Sequence, residues 1–133
     1  MSTAPELLAE ARTALERYVD VAVDPSGALA FAHGEVPCAA QAIELAEGLV
    51  VLSVTCVIAW DLDRSAVLDA AVARAGANVQ FGALGLLDDG DRADVTLRYA
   101  FPAAGLDTEA LATLLLLVLS AASHARTEVL AAS

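Results

Sequence analysis

A long run of alternating residues at positions 49–61 constrains the fold of this chain more than any other feature. Because successive side chains of a strand point to opposite faces, the run predicts a strand with one face in a core and the other half covered. The odd-numbered positions are mixed, with Ser53 and Thr55 among apolar residues. The even-numbered positions, which we expect to face the core, are apolar throughout: Val50, Leu52, Val54, Cys56, Ile58 and Trp60.

The segment before the long strand has the signals of a helix and a turn. Thr3 and Glu6 have the spacing of a capping box, so they predict the start of an amphipathic helix that runs to about Val19. The sequence Asp-Pro-Ser-Gly from Asp24 is typical of a turn. A helix therefore precedes the sheet.

A second helix is predicted directly after the long strand, at 64–75. Asp61 or Asp63 is placed to cap its start, and Gly76 is placed to end it in a left-handed conformation. The side chains expected to face inward are Val67, Leu68, Ala71, Val72 and Ala75.

The remaining segments predict further strands and a last helix. Short apolar pieces flank the first turn, a strand at 36–46 forms a hairpin with the long strand, and a clear hairpin joins 79–87 to 93–101. A helix from Asp107 or Thr108 then persists to about Leu130. The order is αβββαββα, which predicts one α+β domain over 1–133, with an antiparallel sheet covered by helices.

The two cysteines are expected to lie on different faces of the sheet. If Ala46 pairs with Leu49 in the hairpin, then Cys38 lies opposite Val57, and Cys56 points to the other face. A disulfide is therefore not expected, although a one-residue slip of register would reverse this conclusion.

The last helix is apolar around most of its circumference. A broad stripe runs from Leu111 to Ala122, and Leu116, Leu117 and Ala121 lie outside it. A surface helix needs only one apolar stripe, so this helix requires a second burial partner. Periodicity leaves two alternatives open, which are another helix of the same chain and a second subunit. Leu116, Leu117 and Ala121 are the candidate dimer interface.

Composition excludes several classes of protein. Hydrophobic residues make up 58% of the 133 positions, which excludes a disordered chain. The net charge of −11, with all seven basic residues arginine, disfavours nucleic acid and anionic membranes as partners. The longest apolar runs, 48–60 and 110–122, are shorter than a membrane-spanning helix. The first residues lack the pattern of a secretory signal, so we expect a cytoplasmic protein.

No group of residues has the pattern of a catalytic, metal or cofactor site. The acidic cluster around Asp89 lacks the order of a calcium loop, and His33 with Cys38 lacks further ligands. Gly82 and Gly85 lack the context of a phosphate loop and are typical of a bulge in a strand or of a close backbone approach. We therefore expect a protein that is not an enzyme and needs no cofactor.

Apolar residues on the outer face of the long strand have no evident burial partner. Leu49, Val51 and Val57 are the candidate partner-binding residues, because such surface usually contacts another chain.

Two segments of the second half resemble the YbjN domain family, which is grouped by fold with type III secretion chaperones. They are Asn-Val-Gln-Phe-Gly-Ala-Leu-Gly-Leu-Leu-Asp-Asp-Gly at 78–90 and Val-Thr-Leu-Arg-Tyr-Ala-Phe-Pro at 95–102, followed by Gly-Leu-Asp and a long helix. The resemblance covers nearly the whole chain. It implies an α+β fold, often homodimeric, and relatives that hold an extended segment of a secreted partner on apolar surface.

The leading hypothesis is a cytoplasmic, homodimeric, chaperone-like protein that binds an unfolded or secreted protein client. The alternative is a carrier or sensor for a small apolar ligand, which would need a cavity between sheet and helices.

Overall fold

The computed structural model of the chain describes residues 3–132, and its elements confirm the α+β class. The order is α1 (Ala4–Leu15), β1 (Ala22–Val23), β2 (Leu29–His33), β3 (Val36–Ala46), β4 (Leu49–Asp63), α2 (Ala66–Ala77), β5 (Ala83–Asp89), β6 (Arg92–Phe101) and α3 (Thr108–Ala132). The expected order αβββαββα is found, with the two-residue β1 added at one edge.

The six strands form one antiparallel sheet in the order β1-β2-β3-β4-β6-β5. The long strand β4 lies at its centre, between β3 and β6, as its alternating pattern requires. All three helices pack on one face, where α3 contacts β4, α1 and α2. The side chains that fill this layer include Leu52, Val54, Leu97, Leu115 and Leu119, and each is at most 1% exposed.

The helix α3 is long and apolar enough to cross a membrane, with a mean hydropathy of 1.5. Here it lies between α1 and α2 on the sheet, and its buried side chains run from Leu111 to Val129. A helix that is apolar around most of its circumference is expected at such a central position.

Local signals placed several boundaries correctly. The Glu6 amide donates a hydrogen bond to Thr3 Oγ1 at 3.3 Å, as a capping box requires, although α1 ends at Leu15 rather than near Val19. The Asp24 carboxylate accepts hydrogen bonds from the Ser26 amide and hydroxyl, which closes the predicted turn.

The limits of α2 differ from the prediction. Ser65, not Asp61 or Asp63, caps its start, because its hydroxyl accepts a hydrogen bond from the Leu68 amide at 3.0 Å. The helix continues past Gly76 to Ala77, and Gly76 has no left-handed conformation. Val67 is 58% exposed rather than inward.

The strand predicted at 79–87 begins only at Ala83. Gly82 precedes it with φ +106°, and a side chain there would lie 2.9 Å from the carbonyl oxygen of Arg98. This close approach of two backbones is the role expected for the glycine.

A β-bulge between Glu44 and Ala46 overturns the predicted register. Ala46 does pair with Leu49, but the extra residue shifts the rest of the ladder, so that Cys38 lies opposite Cys56 and not Val57. Both thiols are free and face the helix-covered side. A bulge adds one residue to a strand, so the side chains beyond it point to the opposite face although the strand continues. Pairing residues at equal distances from the turn therefore gives the wrong face for Cys38.

Trp60 is also misplaced by the sequence pattern. Two irregularities in the β4–β6 ladder, between Val57 and Ala59 and between Ala59 and Leu62, break the alternation. Ala59 is therefore buried, whereas Trp60 is 47% exposed and is not part of the core.

Candidate functional site

The face of the sheet opposite the helices, which we call the open face, is the main candidate site. No helix among residues 3–132 packs on it. Side chains of β3, β4, β6 and β5 alternate onto this face, and nearly all are small or uncharged. They include Ala39, Gln41, Ile43, Leu49, Val51, Ser53, Thr55, Val57, Thr96, Arg98, Ala100, Ala83 and Gly85. Toward the β5–β6 turn the face also carries Leu87, which is 56% exposed, and its cross-strand partner Asp94.

The three candidate partner-binding residues lie on alternate positions of β4 but differ in exposure. Leu49 is 43% exposed, Val57 is half-buried, and Val51 is only 8% exposed. Ile43 pairs with Val51 from the neighbouring strand and is 39% exposed. The sequence analysis missed Ile43, because its place beside Val51 depends on the bulged register.

The β3–β4 hairpin extends this apolar surface at one end of the sheet. Leu45, in the bulge, is 63% exposed and lies between Ile43 and Leu49 along the hairpin. Three large exposed apolar side chains thus lie within one hairpin, next to a face of small residues.

Arg98 is the unusual charge on the open face. Five of the seven arginines pair with carboxylates of the chain, and these are Arg12, Arg17, Arg64, Arg92 and Arg126. Within the described part of the chain, Arg98 and Arg74 make no such pair. Arg98 is exposed, and its cross-strand neighbours are Thr55 and Ala83.

The candidate dimer residues differ in exposure and surroundings. Leu117 is 44% exposed, and Leu116 is half-buried about a quarter-turn away. Ala121 lies in the crevice between α3 and α2, together with Ala75 and Val79. Much of the surplus apolar surface of α3 is therefore covered by α1 and α2.

Two clefts of ligand size open at the rim of the molecule rather than inside it. One of about 500 Å³ lies between Glu6 at the start of α1, Leu49 and Gly105. Another of about 560 Å³ lies between Arg17, Asp20 and residues at the end of β2. Neither lies between the sheet and α3, where the alternative hypothesis requires a cavity.

His33 contacts Ser123 across 90 positions of sequence, a pairing that the sequence did not indicate. His33 Nδ1 lies 2.8 Å from Ser123 Oγ. Glu35, the nearest acid along the same hairpin, pairs with Arg126 at 3.2 Å. The two contacts tie the β2–β3 hairpin to α3.

Cys38 and Cys56 form a polarised pair in the core. The two residues pair directly across β3 and β4, and the hydrogen-bonding interaction with the Cys56 thiol lowers the pKa of Cys38, whereas the same interaction and burial raise the pKa of Cys56. Cys38 also contacts the Val36 carbonyl oxygen at 3.4 Å.

Comparison with known proteins shows the fold. No protein-family profile matches the chain, and no curated protein sequence matches it significantly. Among solved structures, the chain is similar to the crystal structure of YbjN from E. coli, which is described as a candidate transcription regulator. The TM-score is 0.63 at 16% sequence identity, with 90% of this chain and 88% of that chain covered. The chain therefore has a YbjN-like fold.

Proposed function

We propose that this chain is a protein-binding domain without enzymatic activity, which holds an extended segment of a partner protein on the open face. The observation that supports this most strongly is the open face itself. It spans four strands, most of its side chains are small or uncharged, and no described helix covers it. An antiparallel sheet can leave one face to solvent, but here that face adjoins the exposed apolar side chains of Ile43, Leu45 and Leu49, and such apolar surface favours contact with another chain.

The small side chains of the open face suit an extended polypeptide. Ala39, Ser53, Thr55 and Ala100 leave room for a backbone to approach the sheet. Ile43, Leu45 and Leu49 supply apolar contacts at one end. Burial of apolar surface there contributes about 25 cal/mol per Å², part of which offsets the freedom that the partner segment loses on binding.

The charge of the chain is consistent with a chaperone-like role in the cytoplasm. A net charge of −11 keeps molecules with exposed apolar surface apart, and so favours solubility between partners. A secreted or unfolded protein is the client class that we propose.

Native mass spectrometry of the protein purified gently from its own host is the first test. We expect a co-purified polypeptide that is lost when Ile43→Asp and Leu49→Asp are combined. Both side chains are exposed, whereas a charge at Val51 would be buried and would threaten folding.

A control for each of the two single substitutions is Val67→Asp, which adds one negative charge at an exposed apolar position of α2, on the helix side. If the Ile43/Leu49 variant folds and still retains its polypeptide, or if Val67→Asp releases it equally, the open face is not the binding surface.

The assembly that we propose is a homodimer, with Leu117 as the α3 side chain at the contact. Leu117 is the large apolar residue that α3 exposes most strongly in its first half. A dimer interface of usual size buries about 800 Å² per partner, so residues around Leu117 on neighbouring elements must contribute as well.

A regulatory role is the second candidate, because the similar YbjN structure is described as a candidate transcription regulator. Such a role would act through protein contacts, since five arginines are already paired with carboxylates and lysine is absent. We expect no retention of duplex DNA on a filter at low salt. Retention that weakens steeply as salt rises would contradict this.

A further inference from the structure

We infer that Arg98 selects the bound segment, which must place a carboxylate over the centre of the open face. This inference rests on the proposed function and adds the chemistry of the partner. The occupant is an extended polypeptide with apolar side chains and an aspartate or glutamate at one fixed position.

The first argument is the isolation of the charge. The chain has 18 acidic residues and seven arginines, so an arginine without a carboxylate partner is uncommon here. Along β6, the nearest acid on the same face is Asp94, whose carboxylate accepts a hydrogen bond from the Asp61 amide at 2.9 Å. Arg98 therefore stands apart from the acids of its own chain.

The second argument is that the Arg98 side chain is longer than the side chains around it. Its cross-strand neighbours are Thr55 and Ala83, and its neighbours along β6 on this face are Thr96 and Ala100. None of these side chains reaches as far as a guanidinium group. Arg98 is exposed, so its guanidinium group is accessible to a carboxylate, which can bind such a group in a bidentate manner.

The third argument is that neighbouring strands hold the backbone of Arg98 in place. The carbonyl oxygen of Arg98 lies 2.9 Å from the Cβ position of Gly82, and a left-handed glycine permits this approach. Arg98 pairs with strands on both sides, so its backbone is fixed within the sheet. Because the backbone is already fixed, only the side chain of Arg98 loses conformational entropy when a carboxylate binds.

An arginine on an exposed sheet could also serve only to prevent aggregation. The two roles differ in one respect. If Arg98 only prevents aggregation, the peptides that bind show no preference for an acid. If Arg98 recognises the partner, acidic residues are enriched at one position of the bound peptides.

The test uses the full chain, immobilised and panned against a random 12-residue peptide library displayed on phage. We expect peptides with apolar residues around one fixed aspartate or glutamate. Arg98→Gln should abolish that preference, and Arg98→Glu should replace the acid by lysine or arginine. Arg74→Gln is the matched control, because Arg74 is the other exposed arginine without a carboxylate partner in the described residues.

A synthetic peptide from the enriched set then gives the magnitude. Changing its acid to the amide should weaken binding to the wild-type chain roughly tenfold, as expected for a charged hydrogen-bonded pair. The same change should alter binding to Arg98→Gln very little, because the two changes are coupled.

The outcomes separate the two claims. Enriched peptides that Ile43→Asp releases, but that show no fixed acid, would overturn the role of Arg98 and leave the proposed function standing. A folded chain that enriches no peptide would overturn both. Thermal unfolding of each variant confirms that loss of binding is not loss of fold.

Discussion

Single residues in this chain settle questions that composition leaves open, and the cysteine pair shows how. The bulge between Glu44 and Ala46 makes Cys38 and Cys56 direct cross-strand partners, and the interaction between the two thiols lowers the pKa of Cys38. The pair is asymmetric, since Cys38 is 7% exposed and Cys56 is fully buried.

We expect iodoacetamide to alkylate Cys38 faster than Cys56. The thiolate is the reactive form, and the hydrogen bond from Cys56 lowers the pKa of Cys38. Cys56→Val removes the donor, so the pKa of Cys38 rises and alkylation near neutral pH slows. Cys56→Ser keeps a donor and should preserve the rate. Peptide mass spectrometry over time measures both, and equal rates in all three chains would refute the hydrogen bond.

Gly82 is the second residue with a specific prediction. Gly82→Ala should lower the free energy of unfolding by about 1–3 kcal/mol, because a positive φ is combined with a steric clash. Gly90→Ala isolates the first effect, since Gly90 has φ +69° but open space around it. Urea unfolding compares the two. Equal losses at both sites would mean that the close approach to Arg98 is not real.

At the scale of the element, the far end of β4 is held in an irregular shape by charges. Asp61 adopts φ 54°, its amide donates to Asp94, and Arg92 Nε donates to its carboxylate at 3.0 Å. Arg92 also contacts Asp63. This arrangement turns Trp60 outward, where the Arg126 guanidinium lies 5.1 Å from the ring centroid.

Arg92→Gln should release this end of β4 and make it less stable at neutral pH. The hydrogen bond from Arg92 lowers the pKa of Asp61 below its ordinary value of 3.8. A lowered folded-state pKa stabilises the fold above the ordinary value, and the effect is lost as the pH falls through the folded-state value. The wild-type and variant stabilities should therefore converge as the pH falls through the lowered folded-state pKa of Asp61.

Trp60 is the single tryptophan, so its fluorescence reports this region directly. In the wild-type chain we expect emission typical of an exposed indole and ready quenching by iodide. A blue-shifted, poorly quenched emission would favour the core position that the alternating pattern predicted. Arg92→Lys keeps the charge, and should retain more of the wild-type signal than Arg92→Gln.

Element by element, the sequence predicted local features better than register. Capping at Thr3 and the turn at Asp24 depend on residues a few positions apart, and both were found. The face of Trp60 depends on bulges, which carry no fixed residue signature. The same limit applies to the site, because recognising Arg98 as isolated requires knowing which strands flank it.

For the whole molecule, the distribution of charge and apolar surface defines two different sides. The helix side carries Leu117 and Val67 as separate exposed apolar residues, while the open face is broad and nearly uncharged. The two sides can therefore serve assembly and partner binding independently.

We expect Leu117→Glu to weaken the proposed homodimer without loss of the fold, because a charge would be desolvated at the contact. Light scattering at micromolar concentration should give a dimeric mass for the wild-type chain and a lower average mass for the variant. Val67→Glu is the control on α2. A monomeric wild-type chain would rule out the dimer, and equal effects of both variants would rule out Leu117 as its centre.

The position of α3 in the chain has a consequence for synthesis. Everything that α3 covers, from the buried side of β4 to α1 and α2, is translated before residues 108–132. Until those residues emerge from the ribosome, the sheet presents apolar side chains on both of its faces. The protein that we propose to bind unfolded segments therefore exposes apolar surface of its own during synthesis. We expect general nascent-chain chaperones to bind it at that stage.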